Sequence, residues 1–223
     1  MIPMGRFPVR ILCRTIAAIL LITSCKQRQT AGPRTAPEPA RLHSYFGQVH
    51  ESAKLVRNGD LIFRNGTDEV SRAARSMNRK DTSFSHCGLL FIENDSVVVY
   101  HAIGGIYNPS QRLRREPIDS FCNPRENDAY GIYRFPLTAG QTDSLRHIVA
   151  GYYAAGLKFD LYFNFLSDDV MYCSEFVFKS LNRARQMRMS AYVRLDTLPY
   201  GVTTDDLFLH PESREVKKDR FSQ

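Results

Sequence analysis

An α+β domain is what this 223-residue sequence predicts, on three observations. Two β-rich runs, residues 85–93 and 96–101, flank Asn94-Asp95 and read as an antiparallel hairpin. Several other segments repeat apolar residues at helical spacing. A composition 43% hydrophobic and 11% aromatic is ordinary for a chain that buries one core. The length suits one domain with appendages.

Residues 1–24 read as a secretory signal. Arg6, Arg10 and Arg14 precede an uncharged apolar run, 16–22, that is too short to span a bilayer. Leu21-Ile22-Thr23-Ser24-Cys25 resembles the bacterial lipobox, which implies cleavage before Cys25 and its diacylation; an ordinary signal peptide is the alternative. The formal charge of +7 shrinks accordingly. With those three arginines removed, 27 basic residues face 23 acidic ones. No basic–aromatic stripe marks a nucleic-acid surface, so none is expected as a partner.

Residues 25–43 carry Pro33, Pro37 and Pro39 and read as a lipidated cysteine followed by an extended tether, with the domain at 44–223. Tyr45, Val49, Ala53 and Val56 predict a helix that stops at Asn58-Gly59. Residues 60–63 form a short strand. Thr67 caps a second helix to about Met77, with Val70, Ala73, Ala74 and Met77 on one face. After the hairpin, 102–127 reads as a long surface excursion with one helical turn at 118–121. A strand at 130–135 and a helix at 141–155 follow. The aromatic run 157–165 reads as core, with an acyl groove as its alternative. A helix over 173–183 has Asp168 and Asp169 as capping-type carboxylates upstream. The end of the chain offers a short strand or turn, a capped turn at 204–207 and a charged tail.

Cys173 opens that last long helix, where unpaired N–H groups and the helix dipole favour a thiolate. Loss of Cys13 and lipidation of Cys25 would leave Cys87, Cys122 and Cys173, an odd set that cannot all pair internally. Cys87, on a strand, and Cys122, in a charged loop, are not expected to be catalytic. A thiol hydrolase also needs an imidazole and a group that orients it. A two-residue turn at Asn94-Asp95 pairs Glu93 with Ser96 and sets Gly88 opposite His101. His86 then becomes a diagonal neighbour of His101 on one sheet face, with no side chain at Gly88 between them. A turn one residue longer would put the two rings on opposite faces. Zinc held by His86, Cys87, His101 and Cys173 is the competing reading. It ranks below thiol catalysis, because adjacent strand residues point to opposite faces.

Gly59-Asp60-Leu61-Ile62-Phe63, Ser85-His86-Cys87-Gly88, Tyr100-His101-Ala102, Phe159-Asp160 and Tyr172-Cys173-Ser174-Glu175-Phe176 occur in one order. This pattern resembles the permuted papain-like enzymes of the YaeF/YiiX type, within the NlpC-like superfamily. The resemblance implies a circularly permuted papain-like fold, a small antiparallel sheet packed by helices. It implies Cys173 as nucleophile, His86 as base and His101 as the orienting residue, where many relatives look to have glutamate. Tyr172, Asp160 and Glu175 follow as oxyanion or support candidates, beside the Cys173 backbone N–H. No metal or cofactor is implied.

The expected function is an exported, membrane-anchored cysteine amidase or peptidase of the bacterial envelope. Its substrate would be a peptide or acyl-amide, with cell-wall peptide one candidate. An acyltransferase or lipid-ester hydrolase on the same fold, and a non-catalytic envelope binding protein, are the alternatives.

Overall fold

The computed structural model describes residues 38–189, 193–194 and 201–221. The signal segment, Cys25 and most of the tether lie outside these residues. Six strands form one antiparallel sheet in the order β4-β3-β2-β1-β5-β6. They are β1 (Leu61–Gly66), β2 (His86–Glu93), β3 (Ser96–His101), β4 (Arg114–Pro117), β5 (Asn127–Arg134) and β6 (Arg214–Arg220). Among the described residues six α-helices accompany them: α1 (Pro39–Ala53), α2 (Glu69–Ser76), α3 (Ile118–Phe121), α4 (Ala139–Ala155), α5 (Cys173–Ala184) and α6 (Thr204–Phe208). Among the described residues no helix is long and apolar enough to cross a membrane.

The hairpin carries the site, and its register follows from its turn. Asn94 and Asp95 sit at φ 47° and 61°, the paired left-handed conformations of a two-residue turn whose twist suits the strands. Leu89 therefore pairs with Tyr100 and Glu93 with Ser96, the predicted register. Alternation then sorts the sheet into two faces. Leu61, Phe63, Leu89 and Phe91 pack under Leu145, Val149, Phe176 and Leu181 of α4 and α5. Ile62, Leu90, Val99 and Ile132 pack under Tyr45 and Val49 of α1 and Phe121 of α3.

Four local expectations shift. α1 begins at Pro39, not at 44, because proline is tolerated in a first turn whose N–H groups lack helical partners anyway. The 102–127 excursion contains β4, and the charged tail contains β6. Neither shows apolar alternation, since both are edge strands, where charge blocks further pairing. Asp168 does not cap α5. The helix begins only at Cys173, and Asp168 instead pairs with Lys179 at 2.7 Å and Arg183 at 2.9 Å. Finally, α2 buries none of its residues in the core; Val70, Ala74 and Met77 of its apolar side line a cleft.

Candidate active site

Cys173 is the first residue of α5. Glu175, fully buried, reaches back to accept the Tyr172 N–H at 3.2 Å and pairs with Lys179 at 2.7 Å. These contacts hold the helix start, as a capping box does. Burial raises the Glu175 carboxyl to about 7 against the pull of Lys179. Ser174 Oγ donates to the Val202 carbonyl at 2.7 Å, and Val202 N–H donates to the Tyr172 hydroxyl at 3.3 Å. Tyr172 is thus engaged in tying the 201–204 segment to the helix. Asp160, also buried, accepts the N–H groups of Tyr162 at 2.8 Å and of Asn164. That clamp shapes the aromatic loop and lets Phe163 sit at φ 54°. Glu175 and Asp160 therefore act on backbone geometry, and neither makes a side-chain contact with His86.

The two histidines meet as the register requires. His86 Nε2 lies 2.8 Å from His101 Nδ1, with the rings edge-to-face at 5.0 Å. Phe121 stacks on His86 at 5.6 Å and meets His101 edge-on at 5.1 Å. With Nε2 engaged by His101, the nitrogen of His86 left for the nearby Cys173 is Nδ1. Gly88 has to be glycine here. A Cβ would fall 2.7 Å from Val99 Cγ1, 2.8 Å from the Tyr100 carbonyl and 3.0 Å from His101 Cβ.

One residue of the site escaped the sequence reading, and a second was considered there only as a zinc ligand. Glu116 on β4 places Oε1 3.0 Å from His101 Nε2, an ion-pair distance with the ring N–H angled off the oxygen, and Arg114 holds Oε2 at 2.7 Å. The acid missing at the third position thus stands one step further out. Nothing in Arg114-Arg115-Glu116 announces a strand, so only the pairing of His101 with Arg114 reveals it. Cys87 is the second. Its thiol lies close enough to shift the Cys173 thiol, so Cys173 is influenced by both Cys87 and His86 although these neighbours leave β2 toward opposite faces. The three described cysteines are free, and Cys122 is buried rather than in an open loop. No group of three or more His, Cys, Asp and Glu among the described residues is arranged to hold a metal ion.

Electrostatics follow from burial. Desolvation lowers His86 to about 4, opposed by Cys173 whenever its sulfur is ionised; it lowers His101 to about 4, opposed by Glu116. Burial pushes Glu116 up, but the His101 contact and the charges of Arg114 and Arg64 leave its carboxyl below the ordinary range. The hydrogen bond from Cys87 shifts the Cys173 thiol well down, with help from His86 and against burial, while burial and that same bond push Cys87 well up.

Cys173 and His86 line a cleft of about 960 Å³. One wall is α2, through Val70, Ala74 and Met77. Another is the aromatic loop, through Phe159, Leu161, Tyr162 and Phe163. Leu161, Tyr162 and Phe163 are exposed, so this part of the aromatic run is wall and not core; Phe165, further along, is buried.

Comparison with known proteins agrees with this arrangement. The chain is 28% identical over 141 residues to the uncharacterized protein YiiX of Escherichia coli (strain K12), a match over 62% of this chain. It spans 64% of that relative's length, under two-thirds. Its fold is similar to the crystal structure of metalloprotein yiiX from Escherichia coli O157:H7, with a TM-score of 0.57 and 23% identity over 74% of this chain and 98% of the other. Residues 55–215 match the family described as permuted papain-like amidase enzyme, YaeF/YiiX, C92 family, and with most of its length so matched the chain belongs to that family.

Proposed function

We propose that this protein is a lipid-anchored cysteine amidase of the bacterial envelope whose substrate is an amide with an apolar acyl group. The observation that carries the chemistry is the Cys173 thiol at a helix start beside the His86 imidazole, which helps hold the thiol down, both of them lining one cleft. His86 Nδ1 takes the thiol proton, and the thiolate attacks the amide carbonyl carbon. The Cys173 backbone N–H is the oxyanion donor. As the tetrahedral adduct collapses, the C–N bond breaks and His86 returns its proton to the leaving amine. Water, deprotonated by His86, then hydrolyses the thioester and frees Cys173. His101 orients the His86 ring. The lipobox-like Cys25 supports anchoring at the membrane, where acyl-bearing substrates concentrate.

An acyl group is favoured because Val70, Ala74 and Met77 on one side and Phe159, Leu161 and Phe163 on the other give the cleft an apolar stretch to receive it, while Asp68, Asn78, Arg125 and Asn127 leave polar lining for the amine portion. Each buried CH₂ contributes about 0.8 kcal/mol, or about fourfold in kcat/KM. We therefore expect kcat/KM for N-acyl p-nitroanilides to rise with chain length from acetyl to dodecanoyl, up to about fourfold per CH₂. Cys173→Ala should abolish turnover, and His86→Ala should suppress labelling of Cys173 by an electrophilic probe. Labelling of Cys87 or Cys122 with Cys173 inert would overturn the catalytic assignment. Faster turnover of acetyl amides or wall peptides would overturn the acyl one.

A further inference from the structure

Resting on the assignment of Cys173 and His86, we propose that Glu116 is a positioning residue. It sets, through His101, which ring nitrogen of His86 is free to take the thiol proton. Residues 99, 101, 114 and 116 share one sheet face, because Val99 pairs with Glu116 and His101 with Arg114. That register brings Glu116 Oε1 to 3.0 Å from His101 Nε2.

The charges on these groups fix where the ring hydrogens sit. An ionised carboxylate only accepts, and a bare ring lone pair 3.0 Å from it would be repelled, so the hydrogen of His101 belongs on Nε2 even though that N–H is angled off the oxygen. Arg114 at 2.7 Å keeps Glu116 ionised. Burial keeps His101 neutral, and a neutral imidazole has one N–H. With that hydrogen at Nε2, His101 Nδ1 is bare and accepts. Its 2.8 Å partner, His86 Nε2, must then donate. His86 is neutral as well, so its own Nδ1 is left bare, and this is the nitrogen available to Cys173. Reversing the first hydrogen reverses all three. His101 would then present Nδ1–H, His86 would accept at Nε2, and the hydrogen on His86 Nδ1 would block proton transfer from the thiol. The step that an acid at the third position would perform directly is done here by a carboxylate through an intervening imidazole.

Glu116→Gln supplies that reversal. Arg114 can only donate, so it would hold the amide oxygen and turn the NH₂ toward His101 Nε2. The test is ring ¹⁵N NMR of the full chain at pH 7, with the signals assigned through His86→Gln and His101→Gln. A second readout is the rate of alkylation of Cys173 by iodoacetamide. We expect Nε2–H and bare Nδ1 on both rings of the wild type. In E116Q both should invert, and alkylation should slow by about 10- to 100-fold, the range for loss of an orienting partner. E116D should keep the wild-type pattern and recover most of the rate. A wild-type His86 protonated at Nδ1, or slowed alkylation in E116Q without inversion, would overturn the proposal. The wild-type spectrum needs no variant to fold. Should no amide be hydrolysed, the spectra still decide the role of Glu116; should hydrolysis proceed with the other tautomer, only that role falls.

Discussion

His86 and His101 are buried neutral and protonate only at about 4, whereas in the unfolded chain they would do so near 6.5. Between these values the unfolded state binds up to two more protons, so stability falls as pH drops from 6.5. Glu175 acts the other way. Its carboxyl, raised to about 7, keeps a proton in the folded state that the unfolded chain releases near 4.5. In Cys173→Ala, which removes the depressed thiol from the count, the net difference from pH 6.5 to 5 is at most about one proton, or about 1.4 kcal/mol per pH unit. Urea unfolding of that variant across the window should show this slope, and adding Glu175→Gln should steepen it toward about 2.7 kcal/mol per unit. A slope unchanged by the added substitution would mean that Glu175 is ionised in the fold. At this scale Cys173, His86 and His101 were legible from residue type and order. Glu116 was not, because no property of a glutamate in a charged run marks it as the partner of a buried imidazole.

The hairpin is where local sequence has most influence on the site. Its two-residue turn sets the register, and the register sets His101 beside His86. Gly88 lies within that pairing, with Val99, the Tyr100 backbone and His101 too close to admit a methyl group. We expect Gly88→Ala to destabilise the fold by about 1–3 kcal/mol. It should also depress kcat more than Gly131→Ala, whose Cβ would meet Phe84 and Tyr133 and neither histidine. Equal catalytic loss in the two variants would show that Gly88 serves stability alone. Strands with apolar alternation and helices with periodic faces were readable in advance. β4 and β6 were not, since an edge strand can be charged on every residue and still complete a ladder. α2 was read as a helix, but its apolar face turned out to line the cleft; periodicity reports that a face is apolar, not what covers it.

For the molecule as a whole, anchoring and chemistry make a joint prediction. Intact-mass analysis of the chain expressed with its signal should give a mature species starting at Cys25 and carrying diacylglycerol; an unlipidated species, or another start, would refute the anchor. What the sequence determined by itself was the inventory and its order: a hairpin with two histidines in register, a thiol at a helix start, and the family pattern joining them. These depend on neighbours within a few residues or on turn geometry, both of which are written locally. Only the tertiary structure decided that Cys87 meets Cys173, that Glu116 stands behind His101, and that two apolar segments face each other across a cleft. Each of these joins residues far apart in the chain through strand pairing and packing, and a contact of that kind leaves no mark on either segment alone.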